Sequence, residues 1–313
     1  MLLQYTDSQI FSRFDELVAR KQILYGPSKV FRLTDRGFPF EFRVCPSLAT
    51  KPQAQSEEKL INGVKPSNTA KFGPGSDIDK GDPLFLLAVV NDTHLLVLNK
   101  FCVYRPQYML LTVDSYRRQH EELDLDDFRA AKSVMESPGK SLYVIYNCTP
   151  DAGCSRGHKH LQVFERPTDD STGAHAPVLF PDRTGSDVPK VPFQYFIHRF
   201  QQDELITDEL LVAIYRRLLK QTRRALRIPI DDSGRPCPHN VVLVNEWVML
   251  IPRVTSNVNG ASANAAGMMG MVWVTREEDV DMWRELGPAK VLSQLGVPFN
   301  AASIQYNDTI SCL

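Results

Sequence analysis

Residues Ser141 to Phe164, SLYVIYNCTPDAGCSRGHKHLQVF, constrain this chain more than any other stretch. Leu142-Tyr143-Val144-Ile145-Tyr146 is β-branched and aromatic throughout, which predicts a strand. A polar, glycine-containing loop follows, and a second strand is predicted from about Gly157 through His158, Lys159, His160, Leu161, Gln162 and Val163 to Phe164. Strand side chains alternate sides, so His158, His160, Gln162 and Phe164 share one face while Leu161 and Val163 take the other. Three polar groups thus converge on one side of a strand whose back is apolar. Asn147, Gly153, Ser155, Arg156 and several backbone amides of the loop stand beside them.

An imidazole titrates near pH 6.5 and can be a neutral nucleophile at physiological pH. Two histidines two positions apart let one ring attack while the other orients it or donates to a nearby oxygen. Ser155, Arg156 and the loop amides suit phosphate oxygens. The same spacing also serves metal ligation when a third ligand comes from elsewhere, or simply an exposed strand face. Spacing alone leaves the three readings open.

The rest of the chain narrows the class. With 313 residues and 43% hydrophobic content it can bury a substantial core, as one large domain or two smaller ones. A net charge of −1 argues against a nucleic-acid backbone as partner. Six scattered cysteines, Cys45, Cys102, Cys148, Cys154, Cys237 and Cys312, form no C-x-x-C pair, which fits a reducing compartment, the cytoplasm and with it the nucleus. The N-terminus has no basic region followed by a long apolar run, and no 18-residue apolar stretch occurs, so no membrane association is expected.

Asp7 or Ser8 is placed to cap a first helix with Ile10, Phe11, Phe14, Leu17 and Val18 on one face. Phe31 to Val44 predicts an irregular strand region, and Pro46 to Pro83 a long surface loop carrying Lys51. Leu84 to Val90 and His94 to Leu98 form a hairpin around the turn formers Asn91 and Asp92. Tyr108 to Val113 is a further strand, and Asp124 or Asp126 opens a helix ending before Pro138-Gly139. Glu165 to Pro192, with His175, is a second polar loop. Thr207 caps a helix to about Arg227, whose basic face (Arg216, Arg217, Lys220, Arg223, Arg224, Arg227) reads as solvated. A hairpin, Val241 to Val244 and Trp247 to Ile251, a small-residue segment to Gly270 and a short strand Met271 to Val274 follow. Thr275-Arg276-Glu277-Glu278 reads as a capping box opening the last helix. Helices and hairpins without βαβ alternation predict an α+β fold with a largely antiparallel sheet. Two parts are expected, residues 1–198 with the His-x-His-x-Gln strand and residues 199–313 completing the site.

Gly157-His158-Lys159-His160-Leu161-Gln162, preceded by Gly153-Cys154-Ser155-Arg156, resembles the active-site strand of the histidine-triad superfamily in its transferase branch. The block is most similar to the GxSRxHKHxQ motif of the fungal-type diadenosine tetraphosphate phosphorylases, also called ATP adenylyltransferases. The similarity runs from the N-terminal helix to about Asn264. It implies a histidine-triad-like half-barrel sheet flanked by helices, with C-terminal additions. It also implies reversible conversion of diadenosine tetraphosphate and phosphate to ATP and ADP, a covalent adenylyl group on His160, and Mg²⁺ carried on substrate phosphates. In the family's pattern His158 orients His160 or meets the phosphoryl group, while Gln162, Ser155 and Arg156 stabilise phosphate charge. Lys51 falls on a phosphate-binding lysine, Asn91 and Asp92 on the ribose, Asn147, Gly153 and Cys154 on the substrate loop, and Asn264, Ala265, Ala266 and Met271 on the second nucleotide site. Thr275 stands where the family tends to have lysine. Sugar-phosphate uridylyltransferases usually carry prolines where Lys159 and Leu161 stand, and the hydrolases a third histidine at the place of Gln162. A non-catalytic nucleotide-binding protein remains the alternative from another class.

Overall fold

The computed structural model describes residues 5–51, 71–166, 178–183, 185–229 and 234–299. Helix α1 (Asp7–Ala19) is capped one residue earlier than expected, by Thr6, and buries Ile10, Phe14 and Leu17 at helical spacing. Strands β1 (Lys29–Asp35) and β2 (Phe38–Val44) form a regular hairpin rather than the irregular region expected. Next come β3 (Leu86–Val90), β4 (His94–Leu98) and β5 (Tyr108–Thr112). The Asp124 carboxylate accepts from Asp126 N and Asp127 N to start α2 (Leu125–Met135). The two predicted central strands are β6 (Leu142–Cys148) and β7 (His160–Glu165). Beyond β8 (Phe196–Arg199), Thr207 caps α3 (Asp208–Ala225), and β9 (His239–Leu243) pairs with β10 (Trp247–Pro252) as the predicted hairpin. A two-residue ladder of β11 (Asn257–Val258) and β12 (Ala261–Ser262) leads to α4 (Ala265–Met268) and β13 (Met271–Val274). Helices α5 (Glu277–Leu286) and α6 (Pro288–Leu295) follow, so the helix opened near Thr275 is not the last.

Eight strands build one open antiparallel sheet in the order β3-β4-β5-β7-β6-β9-β10-β8. A smaller sheet, β1-β2-β13, contains one parallel pair, β13 on β2. The architecture is α+β and largely antiparallel. The boundary expected at residue 198 falls inside β8, and the main sheet runs across it.

Every residue of β6, β9 and β10 is buried, because both faces of the sheet are covered. Val144, Tyr146, Leu161, Val163 and Leu243 join Phe14, Phe128 and Leu218 under α1, α2 and α3. Tyr143, Ile145, Phe164, Val242 and Met249 pack the other way, against Phe42, Trp283 and Leu292 of the small sheet and the C-terminal helices. Towards β3 that second face changes character. There Val97, Met109 and Leu111 meet Ile78 and Phe72, and the segment of residues 71–79 crosses above the sheet and walls a cleft.

Two charge assignments change in three dimensions. Arg223 is buried, donating to Glu122 and the Arg235 carbonyl, and Arg217 donates to His198 Nδ1, so the basic face of α3 is solvated only in part. The five described cysteines are buried and unpaired with one another; Cys312 and His175 lie outside the described residues. No helix among the described residues is long and apolar enough to cross a membrane.

Candidate active site

Strand alternation brings His160 and Gln162 to the same side of β7, and both line the cleft. Its other polar lining residues are Lys51, Asp79, Asn99, Lys100, Ser155 and Arg156, and Phe72, Phe85, Phe101 and Met109 form an apolar part. About 770 Å³ of space lies inside, open solvent at the mouth included. Three cations against one carboxylate make its walls suited to an anion. The Lys51 ammonium is drawn below its ordinary value, first by desolvation and then by the neighbouring Arg156 charge. The residue as a whole is exposed, so solvent screens this effect and Lys51 remains a cation.

The His160 ring is held at one nitrogen. Its Nδ1 lies 2.8 Å from the His158 carbonyl oxygen, an acceptor only, so Nδ1 carries the proton and Nε2 keeps its lone pair. Burial pushes the His160 pKa down, against the opposing effect of that hydrogen bond, so the imidazole is neutral at pH 7. A side-chain amide fixes the backbone at this position. Gln119 Oε1 accepts from His160 N at 2.8 Å, and its Nε2 donates to the carbonyls of His160 and Asn147 at 2.9 and 3.1 Å. Gln119 fills the gap where β6 and β7 splay apart beyond the Ile145↔Gln162 pair. It is itself only 3% exposed.

His158 departs from the expected arrangement. It precedes β7, and its ring is buried away from the cleft, with Nε2 3.0 Å from the Thr112 carbonyl and Nδ1 2.8 Å from Ser76 Oγ. The carbonyl must accept, so Nε2 donates and Nδ1 takes the serine proton. Burial, then the neighbouring His160, pushes its pKa down to about 4. His158 therefore meets His160 through its backbone carbonyl and not through its ring. Asp77 locks this corner by accepting from Gly157 N and His158 N at 2.8 and 3.0 Å.

The loop before Ser155 is shaped from the C-terminal half. Gly153 has φ +89°, and a Cβ there would lie 2.9 Å from both the Ala263 carbonyl oxygen and Asn264 Cα, so only glycine fits. Asn147 Oδ1 accepts from Asn240 Nδ2 and Ala265 N, each at 2.9 Å. Arg253, fully buried, donates to the Ala152, Leu295, Thr255 and Ala263 carbonyls and to Asn240 Oδ1. Asn147, Gly153 and the buried Cys154 thus support the loop, and none of them lines the cleft.

Other expected contacts lie elsewhere. Asn91 and Asp92 take positive φ, 52° and 59°, in the β3–β4 turn, and Asn91 donates to Ser133 on α2. The turn stands at the far end of β4 from Leu98, which does line the cleft, about 13 Å of extended chain away. Asn264 caps α4, Ala265 and Ala266 are buried beneath it, and Met271 is buried in β13. Thr275 is spent on α5, since its N and Oγ1 both donate to Asp279 Oδ2. The carboxylate closing that helix start is Asp279, one residue beyond the expected Glu278. These C-terminal residues reach the cleft only through the loop they brace.

Behind β7 the reading from sequence missed a second polar cluster. Lys159, fully buried, donates to Asp127 Oδ2 at 2.6 Å and to the Glu122 carbonyl at 2.8 Å, while Asp127 Oδ1 meets His94 Nε2 at 3.2 Å. Burial alone would raise the Asp127 pKa, but the bonds from His94 and Lys159 hold it well below the usual carboxylate range. The signal that could have exposed this pairing is a lysine at an inward-facing strand position, which demands a buried partner. Among the described residues, no group of three His, Cys, Asp or Glu side chains is placed to hold a metal.

A neutral imidazole whose Nε2 has no partner among the described residues stands above a cationic loop on an open antiparallel sheet, an arrangement chemically suited to phosphoryl groups. Residues 19–179 match the model of the Ap4A phosphorylase N-terminal domain, and residues 189–298 that of the ATP adenylyltransferase C-terminal domain. The chain belongs to this Ap4A phosphorylase family. It is 26% identical to Protein APA1 of Saccharomyces cerevisiae over 60% of this chain, spanning 63% of that protein's length. It is 24% identical to diadenosine 5',5'''-P1,P4-tetraphosphate phosphorylase 2 of the same yeast, over 85% of this chain and 87% of that one. The crystal structure of yeast Ap4A phosphorylase Apa2 superposes with a TM-score of 0.70 at 20% identity, covering 96% of this chain and 100% of that chain. Apa2 in complex with Ap4A superposes with a TM-score of 0.68 at 20% identity, covering 94% and 98%.

Proposed function

We propose that this protein is a nucleotidyltransferase that phosphorolyses diadenosine tetraphosphate, with phosphate, to ATP and ADP, reversibly. The observation that carries the reading is the His160 ring, tied at Nδ1 to the His158 carbonyl and without a partner at Nε2 among the described residues, in the cleft that Lys51, Ser155, Arg156 and Gln162 line. Family membership and the activity for which the second yeast relative is named support it.

His160 Nε2 attacks the α-phosphorus of one adenosine, the bridging P–O bond breaks, and ATP leaves. Phosphate oxygen then attacks the same phosphorus, the N–P bond breaks, and ADP leaves. Splitting the transfer into two displacements is the ordinary gain of covalent catalysis. Burial keeps His160 unprotonated for the first step. Arg156, Lys51 and Gln162 neutralise charge that spreads over the transferring group. A Mg²⁺ ion suits the substrate polyphosphate, whose oxygens would supply most of its ligands, because the cleft offers a single carboxylate, Asp79. The five described cysteines, buried and not joined in disulfides, favour a reducing compartment, cytoplasmic or nuclear. The test is incubation with diadenosine tetraphosphate with and without phosphate. Phosphate-dependent formation of ATP and ADP in equal amounts is expected; AMP and ATP regardless of phosphate would make the protein a hydrolase, and no turnover a binding protein.

A further inference from the structure

Gln162 presents an amide to the cleft, and an amide has a donor end and an acceptor end. Which end faces the substrate is decided two residues away. Val103 N–H, a donor with no alternative role, lies 2.9 Å from Gln107 Oε1. That contact assigns the opposite end of the Gln107 amide as N–H₂, and this end lies 3.2 Å from Gln162 Oε1. Gln107 stands just before β5, 1% exposed, with its own carbonyl taken by Asn99 N at 2.8 Å. Turning either amide over would set N–H against N–H, at Val103 in the buried interior or at Gln107 on the edge of the cleft. Gln162 Nε2 has no hydrogen-bond partner among the described residues, and the residue lines the cleft beside His160, Ser155 and Arg156.

We propose that Gln107 is a specificity-determining positioning residue, one that makes Gln162 a hydrogen-bond donor only and so favours phosphate over water as the acceptor of the adenylyl group. The inference rests on the adenylyl-transfer reading above. In the second step an acceptor oxygen forms a bond to phosphorus, and the electron pair of the N–P bond returns to His160 Nε2. Phosphate arrives already anionic and gives ADP. Water gives AMP and must shed a proton, which an acceptor beside it would help and an N–H₂ group does not. A carbonyl oxygen in that position would also repel phosphate. Val103, through Gln107, removes that arrangement.

The test is Gln107→Glu, near in shape to the parent. When the introduced carboxyl is protonated, its O–H donates to Gln162 Oε1 as the parent amide does. When it is ionised it can only accept, so the Gln162 amide turns and shows its carbonyl to the cleft. The ratio of AMP to ADP formed from diadenosine tetraphosphate is read at fixed, sub-saturating phosphate from pH 5.5 to 8.5, each point divided by the parent's. The normalised ratio should be near one at the acid end and rise with pH, while KM for phosphate rises about tenfold, the loss of one charge-assisted hydrogen bond. A normalised ratio of one throughout, in a variant that unfolds cooperatively, overturns the proposal. If Gln107→Glu does not fold, Gln107→Met, which neither donates nor accepts at its end, should raise the ratio without pH dependence; an unchanged ratio and phosphate KM overturn the proposal there too. A parent that forms no ADP would sink the transfer reading separately. Calorimetric binding of inorganic phosphate then decides the amide question alone: weaker binding by Gln107→Glu at pH 8 supports the relay, and parity with the parent refutes it.

Discussion

The two faces of β7 are built on opposite rules. The cleft face keeps polar groups half satisfied: His160 is bonded at Nδ1 and Gln162 at Oε1, and neither Nε2 has a partner among the described residues. The back face leaves nothing over, for the buried Lys159 meets the Asp127 carboxylate and the Glu122 backbone carbonyl, and the buried Asp127 meets the buried His94. A group that must act on a ligand needs one committed end and one open end. A group that only holds a strand in place can be neutralised completely. Lys159, just before β7, and His160, its first residue, therefore serve support and chemistry in turn, because extended chain alternates sides.

Removing the open nitrogen is the most severe way to break this contrast. His160→Ala should lower turnover by roughly 10⁴-fold or more while cooperative unfolding is kept, and labelling by α-labelled nucleotide should vanish. Persistent label on the variant would assign the nucleophile elsewhere. In the parent the label should survive alkali and be lost in acid, as a phosphoramidate does. The depressed His160 pKa has a sign that can be checked: the neutral ring persists below the ordinary histidine value, so the acid limb of the rate profile should lie below about pH 6.5. A limb at or above that pH would mean the ring is not desolvated as described.

Breaking the back face should cost stability first. Lys159→Met leaves the Asp127 carboxylate buried without its cation, an expected loss of about 3–5 kcal/mol by denaturant titration. Adding Asp127→Leu should recover much of it, and a double variant no more stable than the single one would refute the pairing. Asp127 has a folded pKa below its unfolded one. Its contribution is thus present above the unfolded value, about pH 4, and is lost as pH falls through and below the carboxylate range. The double variant should lose less stability between pH 5 and 3 than the parent does.

The smallest expected effect is at the cleft mouth. Lys51→Ala should raise KM for the dinucleotide by about three- to tenfold and leave the melting temperature within a degree or two, since an exposed lysine contributes little to the core. An unchanged KM would remove Lys51 from the site.

Local and periodic features were legible before any coordinates. The caps at Asp124 and Thr207 work through bonds spanning two or three residues, so the residue types announce them. The hairpins around Asn91-Asp92 and Asn245-Glu246 follow from turn chemistry between apolar runs. Buried helix stripes and the β7 alternation follow from periodicity, and so the pairing of His160 and Gln162 in one cleft was readable. The ribose role expected for Asn91 and Asp92 shows the limit. Their turn was right, but a turn does not say which end of the sheet holds the ligand.

The sequence by itself determined the strand that carries the site, which of its residues share a face, and the residue types available for phosphoryl chemistry. Only the tertiary structure decided that the His158 ring turns away, which end of Gln162 meets the cleft, and how the loop before Ser155 is braced. Those outcomes hang on bonds between residues far apart in the chain: Gln107 and Gln162 are separated by 55 positions, Asp77 and His158 by 81, and Asn147 and Ala265 by 118. Periodicity records the face a side chain takes on its own element. The orientation of an imidazole or an amide is set by a partner on another element, and no local pattern encodes that partner.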